Sequence, residues 1–219
     1  MNKRTRYTRL GKFFGVFFLL LIVHHFVIRP WMLDWGAPKK IEKLTLSGDR
    51  FINGRSHTRA VLIHTTPDKI WPWLVQMGQE RGGMYSYTWL ENIVLADMKN
   101  TYVIRPEFQK PRMQGDTIWL ANKRRYKGKG HQIFAEVIPE KSVIMVGDQD
   151  YMRIQNGQTA TGAWSFYLVP QDEESTWLIA RSTEDETIGK RVLRYFTYEI
   201  PHFIMEQKML RTVKRLSEA

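Results

Sequence analysis

The stretch that decides the fold runs from Thr65 to Asn92 and reads TTPDKIWPWLVQMGQERGGMYSYTWLEN. It opens with helix-start signals, because Thr66 can act as an N-cap, Pro67 suits the first helical turn and Asp68 favours the positive end of the helix dipole. Apolar residues then recur at helical spacing, at Ile70, Trp73, Leu74 and Met77. The pattern predicts a core-facing helix that ends near Gly78, where glycine can adopt a left-handed conformation.

The second half of this stretch predicts another short helix. Pro72 should bend the first helix, because it lacks a backbone donor. After the pair Gly82-Gly83, Ser86 can cap the second helix. Its expected buried side carries Leu90, Ile93 and Val94. Two short helices joined by a glycine loop and packed with Trp and Tyr can form the lip of a cavity.

The rest of the chain predicts an antiparallel sheet followed by a long helix. His57–His64 is the first strand candidate, directly before the helix pair. Further candidates are Tyr102–Ile104, Asp116–Ala121, Gln132–Ile138, Ser142–Val146, Ala160–Val169 and Ser175–Ser182. Short alternating runs separated by turn residues indicate an antiparallel meander. The segment Ile188–Ala219 has a helical pattern divided by Pro201, and its predicted buried stripe is Met205, Met209, Val213 and Leu216.

The N-terminal region predicts a membrane anchor. Residues 1–12 carry five Lys/Arg and no acid, and the apolar run that follows spans ~31 Å as a helix if it extends to Leu33. No small-residue cleavage site follows the run, which favours an uncleaved signal anchor over a cleaved signal peptide. The basic flank places the C-terminal domain outside the cytoplasm. His24 and His25 point about 100° apart on a helix, so we interpret them as packed or tolerated polar residues rather than metal ligands.

Composition limits the chemistry. The chain has 219 residues, a net charge of +11 and no cysteine, which excludes disulfides, thiol nucleophiles and cysteine-ligated metals. A basic run occupies a glycine-containing loop, at Lys123, Arg124, Arg125, Lys127 and Lys129. It fits either a solvated hairpin or a contact with anionic lipid headgroups. Nucleic-acid binding is not expected, because Tyr126 is the single aromatic residue interleaved with these charges.

Several ordered motifs resemble those of the START-like superfamily known as SRPBCC, in its polyketide cyclase/dehydrase-like branch. They are IWPWLVQMGQERGGMYSYTWLEN (Ile70–Asn92), WGA (Trp35–Ala37), LSGDRF (Leu46–Phe51), IRPEFQ (Ile104–Gln109) and GDTIWL (Gly115–Leu120). The resemblance implies an α+β helix-grip fold, in which a curved antiparallel sheet wraps a long C-terminal helix around a cavity. Taken with the N-terminal pattern, it predicts a division into a basic cytoplasmic flank (1–12), a transmembrane signal anchor (13–33), a linker (34–56) and the START-like domain (57–219).

The same resemblance suggests which residues face a ligand. The candidates are Gln76, Tyr85, Tyr87, Glu91 and Asn92 from the motif, with Trp164 and Arg181 from the two long late strands. An apolar pocket with a few polar groups fixes the orientation of a bound molecule. The competing interpretations are that the tyrosines cap the core and that Glu91 pairs with Arg81 or Arg105. Arg181, if it points inward, requires an acidic partner or an anionic ligand.

No catalytic residues, metal ligands or cofactor are predicted. The six histidines show no ligand spacing. His64 and His131 fall on strand candidates and could line a cavity, but the favoured interpretation is that backbone partners satisfy them. Asp148 and Asp150 are expected in a hairpin turn. The predicted function is a membrane-anchored domain that binds a small hydrophobic or amphipathic molecule. An enzyme of the cyclase, dehydrase or hydrolase type would need Glu91 with His64 or Tyr87, and an interaction scaffold with a filled core is the third possibility.

Overall fold

The computed structural model describes residues 15–19, 21–52, 55–184 and 198–219. The described helices are α1 (Gly15–Leu33), α2 (Lys39–Glu42), α3 (Pro67–Val75), α4 (Thr88–Ile93), α5 (Asp148–Gln155) and α6 (Ile200–Ser217). The strands are β1 (Arg55–Ile63), β2 (Thr117–Trp119), β3 (His131–Ile138), β4 (Ser142–Val146), β5 (Gly162–Pro170) and β6 (Thr176–Glu184).

The six strands form one antiparallel sheet in the order β1-β6-β5-β4-β3-β2. Strands β2 to β6 are a meander, as predicted, and β1 adds to its edge beside β6. The register shifts between Phe134 and Glu136 where β3 pairs with β4. Such a bulge bends a strand and increases its twist, which helps the sheet to curve.

The long helix α6 packs against one face of the curved sheet, which is the helix-grip arrangement. The core between them contains Phe166, Leu178 and Ile63 from the strands, and α3 contributes to the same cluster. Met209, Leu210 and Val213 face this core from α6. The α+β helix-grip fold is therefore as expected. The predicted α6 stripe is buried at Met209 and Val213, while Met205 and Leu216 are half-buried.

The other face of the sheet is covered by the chain that precedes β1. Ile41 of α2 is buried there with Tyr167 and Ile179 of the late strands. Leu44, Leu46 and Phe51 pack against the same cluster. The part of the predicted linker that is described here therefore has a packing role, because its apolar side chains cover the second face of the sheet.

Helix α1 is the one described helix long and apolar enough to cross a membrane, a property that a signal sequence shares. Its C-terminal end is docked on the domain. Arg29 forms an ion pair with Glu199 at 2.8 Å, and the Trp31 ring meets the edge of Phe203 with 5.5 Å between centroids. The backbone N–H of Ala60 donates to the carbonyl of Trp35 at 3.1 Å.

Some local predictions were wrong. Tyr102–Ile104 forms no strand, and it lies in a loop bound by the Gln76 side chain. Asp148 and Asp150 begin helix α5 instead of a hairpin turn, because both carboxylates lie in its first turn, where the helix dipole favours negative charge. Pro201 lies in the first turn of α6, where a missing backbone donor costs little, and most of the helix predicted before it lies outside the described residues. The predicted start at Ile188 lies outside the described residues.

Candidate functional site

The predicted helix pair exists and is closed by paired glycines. The core-facing stripe of α3 is buried as expected, with Thr66 as the N-cap residue. After the helix, Gly78 and Gly83 exchange two backbone hydrogen bonds of 3.0 and 2.9 Å. Gly78 has φ of +127°, and a Cβ on Gly83 would approach Asn100 Oδ1 and the Lys99 carbonyl to 2.4 Å. Glycine is therefore required at both positions.

Gln76 has a structural role at the end of α3. Its side chain is fully buried and donates from Nε2 to the carbonyl of Val103 at 3.2 Å. Its Oε1 accepts from the backbone N–H of Arg105 and from Gln109 Nε2, each at 3.2 Å. Because these bonds use its amide, Gln76 holds the 103–109 loop against the helix.

Tyr85 is the largest fully buried side chain of the loop between α3 and α4. Its ring meets the edge of Trp73 with 5.9 Å between centroids, and its backbone is left-handed with φ of +57°. Burial raises the pKa of its phenol, an effect that the neighbouring Gln76 side chain offsets in part. No contact of good hydrogen-bond geometry reaches the hydroxyl from the described residues, so we regard the phenol as unpaired.

The buried and exposed sides of helix α4 are the reverse of the prediction. Ile93 and Val94 are exposed, at 66% and 60%, whereas Glu91 is 4% exposed. The helix also starts one residue later than expected, with Tyr87 and not Ser86 as its N-cap. The prediction of a buried Ile93 and Val94 was wrong, because a six-residue helix offers too few turns for its apolar residues to define the inward face.

Glu91 is the unusual group of this region. Among the described residues, neither of its carboxylate oxygens has a hydrogen-bond partner, and the hydroxyl of Ser86, nearby in sequence, is also buried and unpaired. Arg81 donates instead to the backbone carbonyls of Val75, Phe108 and Lys110, and Arg105 contacts Glu107. The predicted ion pairs of Glu91 are therefore absent among the described residues. Burial raises the pKa of Glu91 to about 7.

Asn92 and Tyr87 flank Glu91 and have other partners. The Asn92 amide exchanges two hydrogen bonds with the backbone of Met98, at 2.6 and 3.0 Å, and so fixes the loop after α4. Tyr87 is partly exposed, and Lys208 of α6 lies over its ring at 5.5 Å. Tyr87 therefore links the start of α4 to α6.

Trp164 lies on the α6 side of the sheet within a buried polar network. Its Nε1 donates to Glu206 Oε1 at 2.6 Å, and Arg59 Nη1 donates to Glu206 Oε2 at 2.6 Å. Arg59 also donates from Nε to the carbonyl of Met32 at 2.8 Å, and Nη1 lies 3.3 Å from His202 Nδ1. The network joins β1, β5, α6 and the end of α1.

The ion pair in this network is almost fully buried. Burial by itself raises the pKa of Glu206, but the charges of Arg59 and His202 outweigh it and hold the pKa below its usual value. Sequence analysis missed both partners. Glu206 lies three residues from both Phe203 and Met209, on the buried face of α6. A charged residue within an apolar stripe is the sequence signal that could have identified it.

Arg181 is on the opposite face of the sheet from Trp164. Its guanidinium binds both oxygens of Asp49, with Nη1 at 3.0 and 2.9 Å. It also donates to the carbonyl of Leu44 and to Thr58 Oγ1, at 3.0 and 3.1 Å. The acidic partner expected for an inward arginine therefore comes from the segment that covers the outer face. The structure does not bring Arg181 together with the residues around α4.

His64 and His131 also lie away from Glu91. His64 lines an open cleft of about 740 Å³ beside Lys69 and Asp172, and Glu91 does not line this cleft. His131 Nε2 is 2.7 Å from Asp148 Oδ1. In the part of the chain that is described, no three His, Asp or Glu side chains form a group that could hold a metal ion.

Comparisons with known proteins return similar structures only. No family model matches the chain, and no curated protein matches it. One similar solved structure is a protein from Mesorhizobium loti, with 15% identity, a TM-score of 0.38, and coverage of 74% of this chain and 96% of that one. Another is the Aha1 dimer from Colwellia psychrerythraea, with 14% identity, a TM-score of 0.36, and coverage of 70% and 93%.

A third similar structure is the Zhui aromatase/cyclase from a Streptomyces species. It has 12% identity and a TM-score of 0.33, with coverage of 76% of this chain and 94% of that one. These similarities are too distant to support an argument. The strand order of the sheet and the packing of α6 against it define the fold of this chain.

Proposed function

We propose that this chain is a START-like domain of the SRPBCC superfamily that binds a small hydrophobic or amphipathic molecule between the sheet, α4 and α6. The observation that carries the proposal is the Glu91 carboxylate, which is 4% exposed and has no hydrogen-bond partner in the part of the chain that the structure describes. Buried polar groups in proteins are almost always hydrogen-bonded. The Glu91 carboxylate and the Ser86 hydroxyl nearby in sequence therefore suggest a bound molecule that supplies their hydrogen bonds.

The polar end of a ligand would be that partner. With a pKa raised to about 7, the Glu91 carboxyl is present in both protonation states near neutral pH. It can therefore donate a hydrogen bond to a ligand oxygen or accept one from a hydroxyl or amine. Tyr87 and Trp164 would border the apolar part of the same molecule. Gln76, Tyr85 and Asn92 support this site by holding the adjoining loops, and Arg181 stays on the other face of the sheet.

Native mass spectrometry of the gently extracted full chain tests the proposal. We expect a defined extra mass on the parent protein, reduced in Glu91→Gln, which keeps the shape and removes the charge. Glu107→Gln is the matched control, because Glu107 is an exposed acid on a nearby loop. A parent without extra mass, or equal retention by both variants, would contradict the proposal. The first of these results would favour a scaffold with a filled core.

An enzyme is the second candidate, and the Glu91 environment is what favours it. A general base works best when its pKa lies near the working pH, and burial gives Glu91 such a pKa. Tyr87, the N-cap residue of the same short helix, would supply an aromatic hydroxyl. Loss of turnover of a bound cyclase- or hydrolase-type substrate in Glu91→Gln, with ligand retention unchanged, would support the enzyme over the binding domain.

The proposed setting is a membrane. Residues 13–33 would form a single signal anchor with residues 1–12 in the cytoplasm, and the domain from 57 to 219 would lie outside, joined through residues 34–56. Five N-terminal positive charges support this orientation. The composition and length of α1 support the span. The partners would be the membrane and a small molecule, without nucleic acid or cofactor.

A further inference from the structure

The outer side of α4 and the loop after it form an exposed apolar patch that no part of the described chain covers. We define this patch, the apolar apex, as Trp89, Ile93, Val94 and Leu95, each more than half exposed. Large side chains do occur singly on protein surfaces. Here three of the four are consecutive, and the acid of the same helix, Glu91, points inward.

The apex is held in place by a rigid loop. Leu95 and Asp97 have φ of +62° and +55°, a left-handed conformation that non-glycine residues adopt at a cost. The Asn92 amide bonds Met98 on both sides of its backbone, and Gln79 Nε2 donates to the Asp97 carbonyl at 3.0 Å. The fold therefore stabilises a strained backbone that keeps apolar side chains in solvent.

The basic run is attached directly to this apex. Asn122 donates its backbone N–H to the carbonyl of Ala96 at 2.8 Å and its side-chain amide to Asp97 Oδ2 at 3.0 Å. The Tyr126 hydroxyl donates to the carbonyl of Val94. These contacts place an exposed cationic loop beside the apex, with side chains at Lys123, Arg124, Arg125, Lys127 and Lys129. None of the five forms an ion pair with a carboxylate of the described chain.

We infer that the apolar apex and this basic loop together form a second membrane contact that inserts at the surface of an anionic bilayer. Apolar side chains beside a cationic rim match the two layers of such a surface, acyl chains below and phosphate headgroups above. A protein partner would have to supply both an apolar pocket and an acidic rim, whereas an anionic bilayer supplies both everywhere.

The position of α4 is compatible with the proposed anchor. The end of α1 contacts α6 at Phe203, and Tyr87 beside α4 contacts α6 at Lys208. Phe203 and Lys208 are five positions apart on α6, which corresponds to a rise of about 7.5 Å along the helix axis. Both elements therefore meet the first half of the same helix. The contact does not depend on whether the domain binds a ligand.

A site-specific fluorescent label tests the contact in the full chain. Because the chain has no cysteine, Val94→Cys provides a single labelling site for an environment-sensitive dye. The labelled protein is reconstituted in bilayers of phosphatidylcholine with or without phosphatidylglycerol, and spin-labelled acyl chains serve as the quencher. We expect loss of emission at position 94 in anionic bilayers and much less in neutral ones. Replacing the five basic residues with Gln should restore the emission.

Two further labels separate the possible failures. Met152→Cys, on α5 and also more than half exposed, should stay accessible to aqueous iodide in every bilayer. Phe17→Cys reports the anchor itself. Quenching at 17 without quenching at 94 would overturn the second contact and leave the anchor intact. Absence of quenching at 17 would refute the anchor alone, since position 94 is read independently. Concentration-dependent shielding of position 94 in detergent would indicate self-association and would also overturn the inference.

Discussion

Glu91 and Ile93 lie two residues apart on the same short helix, and the carboxylate is buried while the apolar side chain is in solvent. Their exposed fractions are 4% and 66%. This inverted polarity separates two surfaces of α4. The inner side carries an acid that is buried and unpaired among the described residues, and the outer side carries apolar groups beside a cationic loop.

The pH dependence of stability should report the Glu91 carboxyl. Because burial raises its pKa from 4.5 to about 7, the folded protein binds more protons than the unfolded chain between these values. The contribution of Glu91 to stability should therefore be greatest below the unfolded pKa and fall as the pH rises towards about 7. Glu91→Gln should exceed the parent by up to about 3 kcal/mol above roughly pH 8 and match it below about pH 4.5. Urea unfolding at several pH values measures this, and a pH-independent difference would contradict it.

The buried pair of Arg59 and Glu206 should be costly to break from one side. Arg59→Met leaves the Glu206 carboxylate buried without its main partner, so we expect a loss of about 3–5 kcal/mol. The double variant Arg59→Met with Glu206→Met should recover part of that loss, because no charge is left unpaired. Chemical denaturation of the parent, Arg59→Met, Glu206→Met and the double variant gives the coupling energy. A double variant no more stable than the single one would argue against a charge effect.

Arg181 should affect stability without affecting ligand retention. Arg181→Met removes the charged hydrogen bonds to Asp49, and we expect a loss of roughly 2–3 kcal/mol. Lys39→Gln is the control, because it removes an exposed pair with Glu42 on the same covering segment and should leave the unfolding midpoint unchanged. Loss of a bound extra mass in Arg181→Met under conditions where it is folded would place Arg181 at the site after all.

Two methionines of contrasting burial test the packing of α6. Met209 is buried in the core between α6 and the sheet, so Met209→Lys should place an unpaired charge there and cost several kcal/mol. Met152→Lys, at an exposed position on α5, should have the same melting temperature as the parent. Thermal melting monitored by circular dichroism compares the two. Equal melting of both variants would mean that α6 does not pack as described.

The orientation of the anchor can be tested with a topology reporter. A reporter fused after Ala219 should be active only on the outer side of the membrane, because the basic residues 1–12 are expected to stay in the cytoplasm. The comparison uses two reporters fused at the same position, one that is active only in the cytoplasm and one that is active only outside it. Cytoplasmic activity, or a mature N-terminus near Ala37, would show that the proposed anchor is wrong.

The fold class and most of the helices and strands are predictable from the sequence. The helix stripe of Ile70, Trp73, Leu74 and Met77 spans enough turns to define a buried face, and Ser142–Val146 was predicted with its observed bounds. The positive φ at Gly78 is also predictable, because this conformation depends on the residue itself and favours glycine. These features depend on residues close in sequence, and hydrophobic periodicity records them directly.

The tertiary structure alone decided the partners of the polar residues. Gln76 and Asn92 were read as possible ligand contacts, but backbone groups from loops up to 29 residues away use their amides. Arg181 was placed on the outer face by Asp49, 132 residues away. Periodicity assigns a residue to one of two faces, but only the packed chain determines which face is inner. For the same reason, the sequence does not indicate that Glu91 is unpaired among the described residues, because that depends on the positions of donors distant in sequence.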